Sequence, residues 1–192
     1  MIHRTAALLL LALVFTTAFG HDGHDHASGL AAGLAHPFMG LDHLLAMLAL
    51  GIWAAQWKGK TVFVAPTLFI ASMLAGALFA LGGGALPFVE HGIALSVLIL
   101  GLVVALVPAQ GAIAGLVLPL IVTGAAMHGY AHSAELPLHA NAAYYVVGFT
   151  LATAFLHAIG LFIGRQLNHR LSIRRTAGYA IALIGSVLAL TI

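Results

Sequence analysis

Long apolar stretches separated by short polar turns make up most of the chain. A membrane-spanning helix needs about 20 mostly apolar residues, and six stretches meet that requirement. They cover about 30–55, 61–81, 87–107, 111–131, 141–164 and 175–192. Because the connections are short, the helices are expected to form one bundle. The pattern predicts an all-α membrane protein in which a compact bundle of six transmembrane helices forms one domain over residues 30–192.

A shorter apolar stretch precedes these six. Residues 1–20 combine the basic Arg4 with an apolar run over 6–15 and small residues at Ala18 and Gly20. This is the pattern of a cleaved secretory signal peptide. We expect cleavage after Gly20, with cleavage after Ala18 and an uncleaved signal anchor as the alternatives.

A His-rich segment, 21–29, follows the leader and is expected on the periplasmic side. After cleavage at Gly20, His21 offers a free amine beside an imidazole, and both nitrogens suit nickel or copper. A solvated His-rich tail without a bound ion is the alternative interpretation.

Basic residues in the mature chain predict its orientation. They fall between the first two predicted spans and around the loop between the last two: Lys58, Lys60, Arg165, Arg170, Arg174 and Arg175. Loops 82–86 and 132–140 contain no Lys or Arg. Since basic loops remain in the cytoplasm, this six-span arrangement places both the N- and the C-terminus in the periplasm.

Composition supports a lipid-facing surface and excludes several classes of protein. The chain is 62% hydrophobic and 6% charged, whereas soluble domains contain about 25% charged residues. Its net charge of +2 comes from scattered basic residues, which do not form a nucleic-acid-binding patch. The absence of cysteine excludes disulfides and thiolate metal sites. Twelve histidines in such an apolar chain call for a chemical explanation.

Small residues recur at helical spacing. Gly111 and Gly115, and likewise Gly160 and Gly164, are four residues apart. This spacing allows helices to approach closely. We interpret this spacing as tight packing within the bundle. Assembly into a homo-oligomer remains an open alternative.

The first predicted span contains the densest group of candidate ligands. His36 and His43 are seven residues apart, about two turns of a straight helix. They should therefore share one face with Met39 and Met47. Asp42 would point about 120° away, either to bind the ion together with a neighbouring helix or to orient a histidine from behind. The group predicts a site for a divalent transition-metal ion.

Two residues modify this span. Pro37 predicts a broken or 3₁₀ start to the helix, and Gly40 leaves room beside the histidines. The alternative interpretation is that the His and Asp side chains only bond each other and hold helices together.

Further ionisable residues lie in other spans, where such groups are rare and usually functional. Glu90 opens the third span. His128 and His132 lie at i and i+4 near the end of the fourth, followed by Glu135. We expect Glu90, His128 and His132 to meet His36 in the outer half of the bundle, with Asp42 and His43 near the midplane. His157, in the fifth span, is a candidate for passing an ion inward.

The candidate ligands limit the choice of ion. Imidazole, carboxylate and thioether without thiolate suit Ni²⁺, Co²⁺, Zn²⁺ or copper better than Mg²⁺ or Ca²⁺. The sequence contains no G-x4-G-K-[ST] phosphate-binding loop. The membrane potential alone can drive uptake, since a divalent ion gains about 4.6 kcal/mol per 100 mV. Proton coupling through the histidines is a further option.

The same residues resemble the HupE/UreJ family of bacterial nickel permeases, which are associated with hydrogenase and urease maturation. Segment 36–51 is similar to the family signature H-P-x2-G-x-D-H-x-L-x-M-x3-G, and segments 128–137 and 90–98 add weaker matches. The resemblance implies a multi-pass transporter of the inner membrane, without enzymatic activity or an organic cofactor. It implies Ni²⁺ as the cargo and leaves Co²⁺ open.

Three other interpretations of these residues stay open. A membrane metal-binding accessory protein or sensor would hold the ion without transporting it. An intramembrane zinc metalloenzyme would use His128 and His132 with Glu90 or Glu135 as general base, although the sequence lacks an H-E-x-x-H motif. A bis-histidine haem protein would place histidines on facing helices and show a Soret band.

Overall fold

A computed structural model of the chain describes residues 25–109 and 112–192, with the side chains of 29–109 and 114–192. Every regular element in these ranges is a helix. The elements are α1 (Asp25–Met39), α2 (Leu41–Ala54), a 3₁₀ helix (Gly59–Phe63), α3 (Val64–Leu81), α4 (Val89–Leu106), α5 (Ala112–Ala134), α6 (Ala142–Leu167) and α7 (Leu171–Thr191). The predicted all-α class is confirmed for this part of the chain. The predicted signal peptide, His21 and Gly111 lie outside it.

Five helical segments are long and apolar enough to cross a membrane: Gly59–Leu81, Val89–Leu106, Ala114–Ala134, Ala142–Leu167 and Leu171–Thr191. The first predicted span, 30–55, corresponds to α1 and α2 together. These two helices meet at an angle of 80°. The described residues therefore give six spans when this bent pair counts as one.

The expectation of a continuous helix over 30–55 is wrong, because the chain breaks at Gly40. This residue has extended backbone, with φ −90° and ψ 120°. Pro37, which we expected to break the helix, lies inside α1. The predicted face shared by His36 and His43 is therefore also wrong, since the two histidines lie on different helices. Helical periodicity could not reveal this, because it assumes an uninterrupted helix.

Glycines line the main contacts between helices. α6 packs against α1 with its first half and against α2 with its second, while α3 pairs with α5 and α4 with α7. An added Cβ on these contacts would meet backbone atoms of the facing helix, as at Gly33, Gly51, Gly76, Gly101, Gly129, Gly148, Gly160, Gly164, Gly178 and Gly185. Such close approach is typical of membrane helices. At Gly115, by contrast, no described atom lies within 4 Å of the added Cβ.

The second helix occupies the centre of the bundle. Its residues from Ala49 to Ala54 are buried, and Trp53 Nε1 donates a hydrogen bond to the carbonyl of Val107 at 3.0 Å. With 14 residues, α2 is about 21 Å long, shorter than the roughly 30 Å hydrocarbon core. Its first turn therefore begins within the bundle, close to the last turns of α1 and α5.

Candidate metal centre

Four histidine side chains meet where α1, α2 and α5 converge. The ring centroids are 4.7 Å apart for His36 and His132, 4.6 Å for His43 and His132, and 4.6 Å for His43 and His128. One ring nitrogen from each of His36, His43 and His132 can be chosen so that all three lie within 4.8 Å of one another. This separation allows three nitrogens to face a common point.

Asp42 fixes the orientation of its neighbour His43. Its Oδ1 atom accepts a hydrogen bond from the backbone N–H of His43 at 2.7 Å and lies 2.8 Å from His43 Nδ1. Because an ionised carboxylate only accepts, Nδ1 carries the proton and Nε2 keeps its lone pair. His43 Nε2 is buried and has no hydrogen-bond partner among the described residues. Metal-binding histidines usually have such a carboxylate partner.

Gly40 makes room for this pair. A Cβ atom at that position would lie 2.6 Å from Asp42 Oδ1 and 3.0 Å from His43 Nδ1. Any other residue would therefore push the carboxylate or the ring aside. The glycine that breaks the helix also permits the hydrogen bond at the start of α2.

Ser96 plays the same part for His128, although it was not predicted as a site residue from the sequence. Its hydroxyl donates to the carbonyl of Ile93 at 2.7 Å and lies 2.9 Å from His128 Nε2. A hydroxyl has one proton to donate, so the histidine donates to Ser96 and keeps the lone pair on Nδ1. That nitrogen is buried without a partner in the described structure. The available sequence signal was a polar residue on an apolar helix, six positions after Glu90.

His132 is the most unusual member of the cluster. It is fully buried, and neither ring nitrogen has a hydrogen-bond partner among the described residues. Its ring stacks on Phe149 with 4.7 Å between centroids and 9° between planes. Buried polar atoms in proteins are nearly always hydrogen-bonded. An ion bound between His132 and its neighbours would give a ring nitrogen of His132 a partner.

Acidic groups surround the opening of the cluster. A cavity of about 310 Å³ is lined by His36, Met39, Gly40, Asp42, His43, Glu90 and Glu135. Glu135 Oε2 lies 3.1 Å from His36 Nε2. His36 and His132 occupy the last turns of α1 and α5, and helix C-termini carry partial negative charge. The cavity therefore favours a cation.

Of the remaining predicted site residues in the described part of the chain, Met39 lines the cavity, whereas Met47 and His157 lie outside it. Met39 is 67% exposed at the cavity, while Met47 is fully buried in the apolar core. His157 is 2% exposed and contacts Phe69, whose ring centroid is 5.1 Å from that of His157 and 5.9 Å from that of His128. The predicted line of two histidines and two methionines along one helix is therefore not formed.

Comparison with known proteins identifies the family. The family described as HupE / UreJ protein matches residues 8–188. The chain belongs to the HupE/UreJ family. This family member is 42% identical to "Protein HupE" of Rhizobium leguminosarum bv. viciae over 187 residues, which are 96% of this chain and 95% of the relative. No solved structure matches it significantly.

Family membership and the apolar helices together establish where this HupE/UreJ protein resides. It is a multi-pass protein of the bacterial inner membrane. In that setting the histidine cluster is a group of polar rings surrounded by apolar helices and open to one side through an acidic cavity. Its chemistry suits reversible binding of a borderline divalent cation.

Proposed function

We propose that this HupE/UreJ protein is a secondary transporter that imports Ni²⁺ into the cell and accepts Co²⁺ as an alternative cargo. The observation that carries the proposal is the approach of His36, His43 and His132, with one nitrogen of each within 4.8 Å of the others. Unpaired buried imidazoles are costly in an apolar bundle. A bound cation would compensate that cost.

The position of the cavity supports uptake. Glu90 at the start of α4 and Glu135 just after α5 line the cavity. Basic residues lie at the opposite helix ends, with Lys60 before α3 and Arg165 near the end of α6. Because basic loops face the cytoplasm, the cavity opens to the periplasm, from which an ion would arrive, and the C-terminus of α7 also lies on that side.

The membrane potential is the proposed driving force. A divalent cation moving into a negative interior gains about 4.6 kcal/mol per 100 mV. This supports an accumulation of more than about a thousandfold at 1.4 kcal/mol per decade. Secondary transport would therefore supply nickel for hydrogenase or urease maturation, the role that the family resemblance implies.

Uptake of radioactive Ni²⁺ into proteoliposomes tests this proposal. Wild-type protein should accumulate Ni²⁺ faster than empty liposomes, and faster still when the interior is made negative with valinomycin and a potassium gradient. His132→Ala should abolish uptake. His139→Ala, in the exposed loop before α6, is the matched control and should transport normally.

Two results would refute the proposal. Wild-type uptake no faster than leakage through empty liposomes would exclude transport of this ion. Full uptake by His132→Ala would exclude the histidine cluster as the binding site. Competition by Co²⁺, Zn²⁺ and Mg²⁺ in the same assay would establish the ion preference.

A further inference from the structure

One aromatic ring of the apolar core contacts both the histidine cluster and a further buried histidine. Phe69 of α3 is 1% exposed, and its ring centroid lies 5.9 Å from that of His128 and 5.1 Å from that of His157. The ring is perpendicular to that of His157, at 89°. A phenylalanine side chain thus touches both a member of the cluster and the imidazole of His157.

His157 has the properties of a second ion-binding position. It is 2% exposed, and both ring nitrogens are without a hydrogen-bond partner in the described part of the chain. The cost of leaving such groups unpaired is the same as for His132.

Neighbouring donors strengthen this assignment. Thr153 precedes His157 by one turn on the same face of α6, and Met73 follows Phe69 by one turn on the same face of α3. The Thr153 hydroxyl contacts the Met73 sulfur at 3.5 Å, and both side chains are fully buried. A hydroxyl and a thioether therefore lie one helical turn from His157 and Phe69, and imidazole with thioether suits a borderline or soft cation.

We propose that Phe69 is a gate between the four-histidine cluster and an inner metal-binding position at His157. This inference rests on the proposed transport function, and it specifies the step that follows capture of the ion. In the structure the Phe69 ring contacts both His128 and His157. Passage requires the ring to turn away, so that the ion exchanges imidazole ligands of the cluster for the imidazole of His157.

Substitutions at Phe69 test the gate. Phe69→Trp enlarges the barrier and should slow Ni²⁺ uptake by about tenfold, equivalent to an added barrier of about 1.4 kcal/mol. Phe69→Leu shrinks the barrier and should speed uptake. Both variants should bind Ni²⁺ at the outer cluster with wild-type affinity in isothermal titration calorimetry. Leu100→Val, at an equally buried position of α4, controls for lost core volume and should leave the rate unchanged.

Binding stoichiometry tests the inner position without reference to transport. Purified wild-type protein should bind two Ni²⁺ ions with distinct affinities, and His157→Ala should bind one while keeping the affinity of the cluster. In stopped-flow measurements the second ion should bind slowly to the wild type and faster to Phe69→Leu. Thermal unfolding identifies any variant that fails to fold. The variants that do fold then test the gate and the inner position.

The outcomes separate the two proposals. If the wild type does not transport Ni²⁺, the proposed function fails. The Ni²⁺-binding stoichiometry and the stopped-flow binding rates would still test the inner position and the gate. Equal stoichiometry in wild type and His157→Ala would overturn the inner position. Wild-type uptake and binding rates in both Phe69 variants would overturn the gate.

Discussion

Replacing Asp42 with asparagine should weaken metal binding without disturbing the fold. In the structure, Asp42 Oδ1 accepts one hydrogen bond from the backbone of His43 and one from its ring, at 2.7 and 2.8 Å. The amide oxygen of asparagine has the same shape and can accept the same two bonds. The substitution therefore removes the negative charge that makes His43 Nε2 a better ligand, and little else.

The size of the effect follows from the two kinds of hydrogen bond. Bonds to a charged group contribute about 1.5–3 kcal/mol and neutral ones about 0.5–1.5 kcal/mol. Loss of the charge should therefore cost about 1–1.5 kcal/mol, which corresponds to a roughly tenfold rise in Kd. Asp42→Ala also leaves the ring N–H unpaired and should raise Kd by about 10–100-fold. Water screens the pair only weakly, since the Asp42 and His43 side chains are 24% and 9% exposed.

Isothermal titration calorimetry of the purified protein with NiCl₂ measures these differences. Ser186→Ala removes a hydroxyl that bonds only within α7 and is the matched control. Glu135→Gln makes the same chemical change beside His36, where the carboxylate is 57% exposed. Its effect should be smaller than that of Asp42→Asn, because solvent screens exposed charges.

Two results would contradict this reasoning. A Kd for Asp42→Asn equal to that of the wild type would show that the carboxylate does not tune His43. A loss of about a thousandfold, with a changed Co²⁺ absorption spectrum, would show instead that Asp42 binds the ion directly.

Three further substitutions have defined outcomes. Gly40→Ala should weaken Ni²⁺ binding about as much as Asp42→Ala, because its Cβ would collide with the Asp42 carboxylate; unchanged calorimetry would contradict the proposed packing. Ser96→Ala removes the hydroxyl that accepts a hydrogen bond from His128. It should raise the Kd for Ni²⁺ by about tenfold or more and leave the Co²⁺ coordination spectrum unchanged. An unaltered Kd would show that His128 is not a ligand. Gly129→Ala should lower Tm, since overpacking costs about 1–3 kcal/mol, whereas Gly115→Ala should leave Tm unchanged. Thermal unfolding in detergent measures both values. A lower Tm for Gly115→Ala than for Gly129→Ala would refute the close helix contact at Gly129.

The helices were predictable because a lipid environment requires backbone groups to pair within each span. The predicted spans 87–107 and 141–164 lie close to the observed helices Val89–Leu106 and Ala142–Leu167. The break at Gly40 was not predictable from the pattern, since a glycine within an apolar stretch is compatible with a continuous helix. Its extended conformation depends on the packing of α1 and α2 against α6, which involves residues more than 100 positions away.

The site was predictable in its residue types and not in its geometry. Histidines and acidic residues stand out in an apolar sequence, so His43 and His132 could be selected from it. The partner of His43 was also among the expectations, since Asp42 is its neighbour in the sequence. The partner of His128 could not be predicted, because Ser96 and His128 lie on different helices and meet only in the folded bundle. Phe69 gave no signal at all, since one phenylalanine among many apolar residues has no distinguishing neighbour in the sequence.

The glycine-lined contacts have a consequence for genetic studies of this protein. Along these faces an added methyl group meets the backbone of another helix, and a backbone cannot move aside as a side chain can. In a saturation mutagenesis screen for nickel uptake, these glycines should therefore tolerate as little change as the histidines do. Separating the two groups requires a count of folded protein in the membrane for each inactive variant, because only the histidine variants should remain abundant.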